Sequence, residues 1–220
     1  LLRSIAFSRC LHGLLNLRCS RQDWILDLRS AQPECTPITY QTTGYAEIQV
    51  EIVVVISGEA ALLDVVRSLY PQVKLLKLSL EDPRELGLKA RDWLIQLPNP
   101  ADLNLYLEDD LVIHDQLLPE KILWMALESQ EQCVLIPHRY ELTRRPGSYS
   151  RFYIDGPIDP EPMVDWNQPS INVASGKFRG QNRVLFDIPS NPHSGFFGLS
   201  YAQVVKLRQF DLPSDGFVGP

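Results

Sequence analysis

The sequence predicts an α/β fold, a three-layer α/β/α sandwich around a mostly parallel sheet, and three observations predict it. Short apolar runs recur between residues 47 and 136, the clearest being Ile52 to Ile56. They are continuous rather than alternating, as strands buried on both faces are. Stretches with apolar residues at helical spacing lie between them, set off by Pro and Gly. Strands alternating with helices of this length indicate βαβ units.

Leu2, Ile5, Leu11, Leu14 and Leu15 follow helical spacing, with Arg3, Arg9 and Arg18 among them. Arg18 to Gln32 is mixed and reads as an extension of that helical region, which Pro33 and Pro37 end. Glu47 to Ile56 is a strand, turned by Ser57-Gly58 into a helix on Leu62, Leu63, Val66 and Leu69 that Pro71 closes. Val73 to Leu80 is a second strand. Asp82-Pro83-Arg84-Glu85 starts the next helix, with Asp at the N-cap, Pro at the first position and Glu reaching back. Leu86, Ala90, Trp93, Leu94 and Leu97 form its inward stripe, and Pro98-Asn99-Pro100 ends it.

Leu103 to Leu107 is then a buried strand that stops at three consecutive carboxylates, Glu108, Asp109 and Asp110. Carboxylates amid apolar neighbours are costly unless a cation or hydrogen-bond donors compensate them. In open α/β sheets ligands gather at the carboxyl ends of strands, where this cluster falls. Pro119 opens a helix with Ile122, Leu123, Ala126 and Leu127 inward, and Cys133 to Ile136 is a further strand. From Pro137 to about Pro192 helical periodicity disappears, and an irregular region over one edge of the sheet is expected. Asn191 to Ser200 (N-P-H-S-G-F-F-G-L-S) leads into a final helix capped by Ser200 with Gln203 as its partner.

The length suits one domain able to bury a real core, and the 45% hydrophobic and 22% charged shares are those of a soluble globular protein. A net charge of -6 without a Lys/Arg block argues against nucleic-acid binding. No apolar run reaches the ~20 residues of a membrane helix. Cys10, Cys19, Cys35 and Cys133 include no C-x-x-C pair, which argues against a zinc site and favours reduced thiols. With no N-x-S/T sequon, these features suit a cytoplasmic protein. The opening Leu and the closing Gly-Pro read as the ends of a fragment clipped on both sides.

The order of elements, ending on a strand tipped by Glu-Asp-Asp, resembles the nucleotide-sugar glycosyltransferases of the GT-A fold, closest to the broad family 2-like group. Three stretches carry the likeness: the helix L-G-L-K-A-R-D-W-L-I-Q-L from Leu86 to Leu97, the acidic L-Y-L-E-D-D-L, and H-S-G-F-F-G-L-S from His193 to Ser200. The resemblance runs from Ile52 to the end and implies one GT-A-like domain over 1–220. Its halves would be a nucleotide-sugar-binding part, 1–136, and an acceptor-side part, 137–220. Its D-x-D signature falls on Glu108 and Asp110, with Glu in place of the first Asp, and no W-x-E-D motif is present.

A metal-dependent transferase would use these residues as follows. Glu108 and Asp110, spaced by two, would hold Mn²⁺ or Mg²⁺ against the diphosphate of a nucleoside-diphosphate sugar, with His193 completing the metal shell. Asp109 would bind ribose or sugar, and Arg91 would face the diphosphate. His138 and Arg139 follow the carboxyl end of an expected strand and so would meet substrate. Gly195 and Phe196 belong to the acceptor-side turn. Asp215 fits either a general base for an acceptor hydroxyl or a plain Ser-Asp-Gly surface turn. A histidine packed in a loop and an Arg91 surface ion pair are the bland alternatives. The acceptor would be a glycan, lipid or protein hydroxyl. Two other readings stand beside this one: a non-catalytic GT-A-like domain that binds a glycan or partner, and a sugar nucleotidyltransferase.

Overall fold

The computed structural model describes residues 2–18, 24–27, 34–37, 48–58, 68, 70–145, 148–156, 170–180, 182–189, 193 and 195–212. The chain is mixed α/β and divides into two compact units. One comprises Leu1–Leu86 and Asp109–Leu117, the other Gly87–Glu108 and Leu118–Pro220. The division does not follow residue 136, and the acidic triplet straddles it between Glu108 and Asp109.

In the first unit, helix α1 (Leu2–Leu15) buries Phe7, Cys10, Leu11 and Gly13. Leu2 is 84% exposed and Ile5 49%, so the buried stripe is rotated from the expected one onto Phe7, Cys10 and Leu11. Phe7, Leu11 and Ile52 form a core flanked by Val54, Tyr70, Val73 and Leu75. At Gly13 an added Cβ would lie 3.1 Å from the Ile113 carbonyl oxygen, a tight fit against that backbone.

The expected helical extension through Gln32 is corrected. Trp24–Asp27 (β1) pairs antiparallel with Glu34–Pro37 (β2), Trp24 opposite Pro37 and Asp27 opposite Glu34. Trp, Ile and Thr favour a pleated surface, and strand pairing prevails over weak helical periodicity. Strands β3 (Val53–Ser57) and β4 (Lys74–Leu78) are parallel, Val53 opposite Lys74 and Ser57 opposite Leu78. Gly58 follows β3 with φ 71°, a left-handed turn suited to glycine. The helix expected on Leu62, Leu63, Val66 and Leu69 lies outside the described residues.

The start signal at Asp82 holds, but its first turn, Pro83–Glu85, is a 3₁₀ helix. The Asp82 carboxylate accepts from Arg84 N at 2.9 Å and from the Arg84 guanidinium at 2.7 Å. Helix α2 (Leu86–Ile95) continues from it. In the second unit Ile95 joins Leu199 and Val204 in a core bordered by Phe197, Leu207 and Leu212.

The strand before the acidic triplet, β5 (Leu103–Leu107), pairs antiparallel with β10 (Phe196–Ser200), Leu107 opposite Phe196 and Leu103 opposite Ser200. Among the described residues β3–β4 is the one parallel pair, and every sheet has two strands. The expectation of a mostly parallel sheet therefore holds only at β3–β4. An uninterrupted apolar run reports burial on both faces, not the direction of the neighbouring strand.

Helix α3 (Leu118–Glu128) starts beside Pro119 as expected and buries Leu118, Pro119, Ile122, Met125 and Ala126. Leu127 is 72% exposed, and Met125 takes the inward place expected for it. Cys133 to Ile136 forms no strand. The Cys133 carbonyl accepts from the Gln203 side chain at 2.8 Å, a partner that a strand ladder would otherwise supply.

The stretch expected to be irregular contains two antiparallel pairs. Tyr140–Arg145 (β6) pairs with Ser148–Tyr153 (β7), and Ser170–Gly176 (β8) with Val184–Ile188 (β9), with a register shift between Ser170 and Ala174. Leu142, Phe152 and Leu185 are exposed, so these strands lack the clean inside-outside alternation that a sequence displays. Helix α4 (Tyr201–Leu207) carries the expected capping box: Ser200 Oγ accepts from Gln203 N, and Gln203 Oε1 accepts from Ser200 N.

Candidate functional site

The best-built polar site of the second unit lies around Asp155. This residue is 8% exposed, and its carboxylate accepts from Arg139 three times. Arg139 N reaches Oδ2 at 2.6 Å, while Nε and Nη2 reach Oδ1 at 3.0 and 2.7 Å. Burial raises the carboxyl pKa, but the Arg139 hydrogen bonds and charge outweigh it and hold the group below the usual carboxylate range.

His193 packs beside this pair with its side chain 3% exposed and Nε2 at 3.9 Å from Asp155 Oδ2. Nε2 also lies 2.9 Å from the Pro137 carbonyl, which can only accept, so Nε2 is the nitrogen that donates there. Nδ1 is buried and has no hydrogen-bond partner among the described residues. His138 is exposed and meets the Tyr153 ring edge-on at 6.2 Å. Arg139, expected near substrate, and His193, expected on the metal, thus meet at Asp155, which sequence reasoning missed, while His138 does not join them. The available signal was an acidic residue followed by Gly156 and Pro157 directly after an aromatic run.

The acidic end of β5 is tied to the same C-terminal segment. Glu108 N donates to the Gly195 carbonyl at 2.9 Å, so the residue that follows the strand meets the turn two residues past His193. Tyr106 stacks on Phe197 with centroids 5.0 Å apart and planes 7° from parallel. Buried Asn104 secures the strand's entry by bonding both the N–H and the carbonyl of Ala101. Gly198 lets Ile122 and Leu105 close over the strand, since an added Cβ would lie 2.8 Å from each. Gly195 and Phe196 are buried, and the Glu108 side chain is exposed.

The other expected residues have different surroundings. Arg91 is bonded to its neighbour Asp92, Nη2 to Oδ1 at 2.6 Å, the surface ion pair that was its bland alternative. In the first unit Asp109 pairs with Arg3 at 3.3 Å, and Asp110 is exposed. Burial, then Asp109, then Asp110 push the Cys10 thiol up to about 12. Asp115 accepts from Leu117 N at 2.9 Å in the turn before α3. Asp215 lies outside the described residues.

Glu108 and Asp110 belong to different units. Among the described residues no three His, Cys, Asp or Glu side chains assemble as a metal-holding group. Carboxylate oxygen and the orphaned imidazole nitrogen of His193 are donors of the type that Mn²⁺ accepts. No described helix is long and apolar enough to cross a membrane, and Cys10 and Cys133 form no disulfide. No protein-family model, curated protein or solved structure matches the chain.

Proposed function

We propose that the chain is the catalytic core of a metal-dependent glycosyltransferase that moves a sugar from a nucleoside-diphosphate donor to a hydroxyl of a glycan, lipid or protein. One observation carries the reading: β5 is followed by Glu108, the first of three consecutive carboxylates in the sequence, and the Glu108 backbone N–H bonds the Gly195 carbonyl, two residues past His193. Two stretches about ninety residues apart, each singled out for its residues, are thereby joined at one strand end, the place where ligands gather in α/β folds.

In this reading Glu108, Asp110 and His193 hold Mn²⁺ or Mg²⁺, which neutralises the charge that develops on the leaving diphosphate. Gly195 and Phe196 shape the acceptor side, Asp109 contacts the donor, and Asp215 takes the acceptor proton. A three-layer α/β/α arrangement of GT-A type and a cytoplasmic setting belong to the same proposal. Calorimetry with Mn²⁺ and a panel of nucleoside diphosphates tests it. Binding that requires the metal and is lost in Asp110→Ala is expected; no binding of any diphosphate would sink the reading.

A second reading has an observation of its own. Arg91 and Arg139, the cations assigned to the diphosphate and substrate, are bonded to Asp92 and Asp155. A non-catalytic GT-A-like domain that binds a glycan or partner needs no cation for a diphosphate. Metal-independent glycan binding in the same instrument would favour it.

A further inference from the structure

The first unit contains a half-open cavity of about 420 Å³. Volumes of this size accommodate a small organic ligand. Its walls come from the second half of α1, from Tyr70, and from the segment after the acidic triplet. Gly13 favours the close approach, because an added Cβ would lie only 3.1–3.3 Å from the Ile113 backbone and the Val112 side chain.

The lining is chemically one-sided. Arg9, His12 and His114 present a guanidinium and two imidazoles, and Ser8, Asn16 and Tyr70 add neutral hydrogen-bonding groups. The Ser8 and Tyr70 hydroxyls bond each other at 3.1 Å, which fixes one wall. Leu17, Val112 and Ile113 supply an apolar face, and no carboxylate is among the described lining residues. Of the carboxylates near α1, Asp109 pairs with Arg3, Asp115 accepts from Leu117 N, and Asp110 is exposed outside the lining. In a chain of net charge -6, the described lining carries one formal positive charge, two imidazoles and no carboxylate, a composition suited to an anion.

We propose that this cavity binds a small organic anion, a phosphate or carboxylate group on an apolar body, with Arg9 and His12 taking the anionic group and Leu17 and Ile113 the body. Guanidinium and imidazole donors serve both headgroups through the same charge-assisted hydrogen bonds. None of the lining residues belongs to the acidic tip, so the inference stands apart from the transferase reading.

The test is a titration of the ¹⁵N-labelled chain with phenyl phosphate, benzoate and, as the uncharged control, phenol. Saturable amide shifts at His12, Asn16 and His114 with either anion, and none with phenol, are expected. The tighter anion identifies the headgroup. Arg9→Gln, a change at an exposed position, should weaken binding by about tenfold, the loss of one charge-assisted hydrogen bond. Lys74→Gln removes an equal charge from an exposed position of the same unit outside the cavity and should leave the affinity within about twofold. Absence of saturable shifts with both anions, equal binding of phenol, or equal weakening by the Arg9 and Lys74 variants would each overturn the proposal. The probes carry neither nucleoside nor metal, so failure here leaves the transferase reading untouched, and the reverse.

Discussion

Asp155 shows how one buried carboxylate can hold a site in place. Its three bonds from Arg139 offset the cost of burial, and its charge is fully expressed at neutral pH. Because the folded-state pKa lies below the usual range, the stabilisation is present above about pH 4 and fades as pH falls through the folded value. Asp155→Asn should therefore cost about 2 kcal/mol at pH 7, and urea titrations should show the gap to the parent narrowing in acid. Cys10 behaves in the opposite sense. A thiol pushed up to about 12 stays protonated and inert, so iodoacetamide at pH 8 should label Cys10 only after denaturation, as read by mass spectrometry. Its contribution to stability is full below about pH 8.5 and is lost as pH rises toward the folded value.

Among the elements, the ends were more legible than the pairings. Asp82-Pro83 and Ser200 with Gln203 mark helix starts because capping is a local matter of one side chain and the next turn. Ser200 also donates to Glu131 Oε2 at 2.6 Å, a contact with no local signature. One hydroxyl thus caps α4 and grips the left-handed residue, φ 62°, that terminates α3. Ser200→Ala should lower stability by about 1–2 kcal/mol in chemical denaturation, more than an isolated cap loss. The partner of β5 could not be read, since antiparallel addition of a distant segment leaves no mark on the strand itself. Gly198, by contrast, is decisive in space: Gly198→Ala should cost about 1–3 kcal/mol, because its methyl meets Ile122 and Leu105.

For the whole molecule, the sequence conveyed the α/β class and the acidic strand end. The two-unit division and the hairpins between Tyr140 and Ile188 escaped it, because their exposed apolar residues blur the two-residue period. The candidate site was half legible. His193 and Arg139 stood out by residue type and position, whereas Asp155 could be recognised only once the chain brought it to them. The first unit is also discontinuous in sequence. A fragment of residues 1–86 lacks the backbone that fits Gly13 and the carboxylate that pairs with Arg3, and its circular dichroism melt should be broad where the full chain's is steep.

The antiparallel union of β5 with β10 has a consequence for a chain still being made. Leu107 leaves the ribosome about ninety residues before Phe196, a wait of roughly 5–20 s at ordinary elongation speeds. For that interval the nascent β5 has one edge open and awaiting its mate, an invitation to chaperones and to other copies alike.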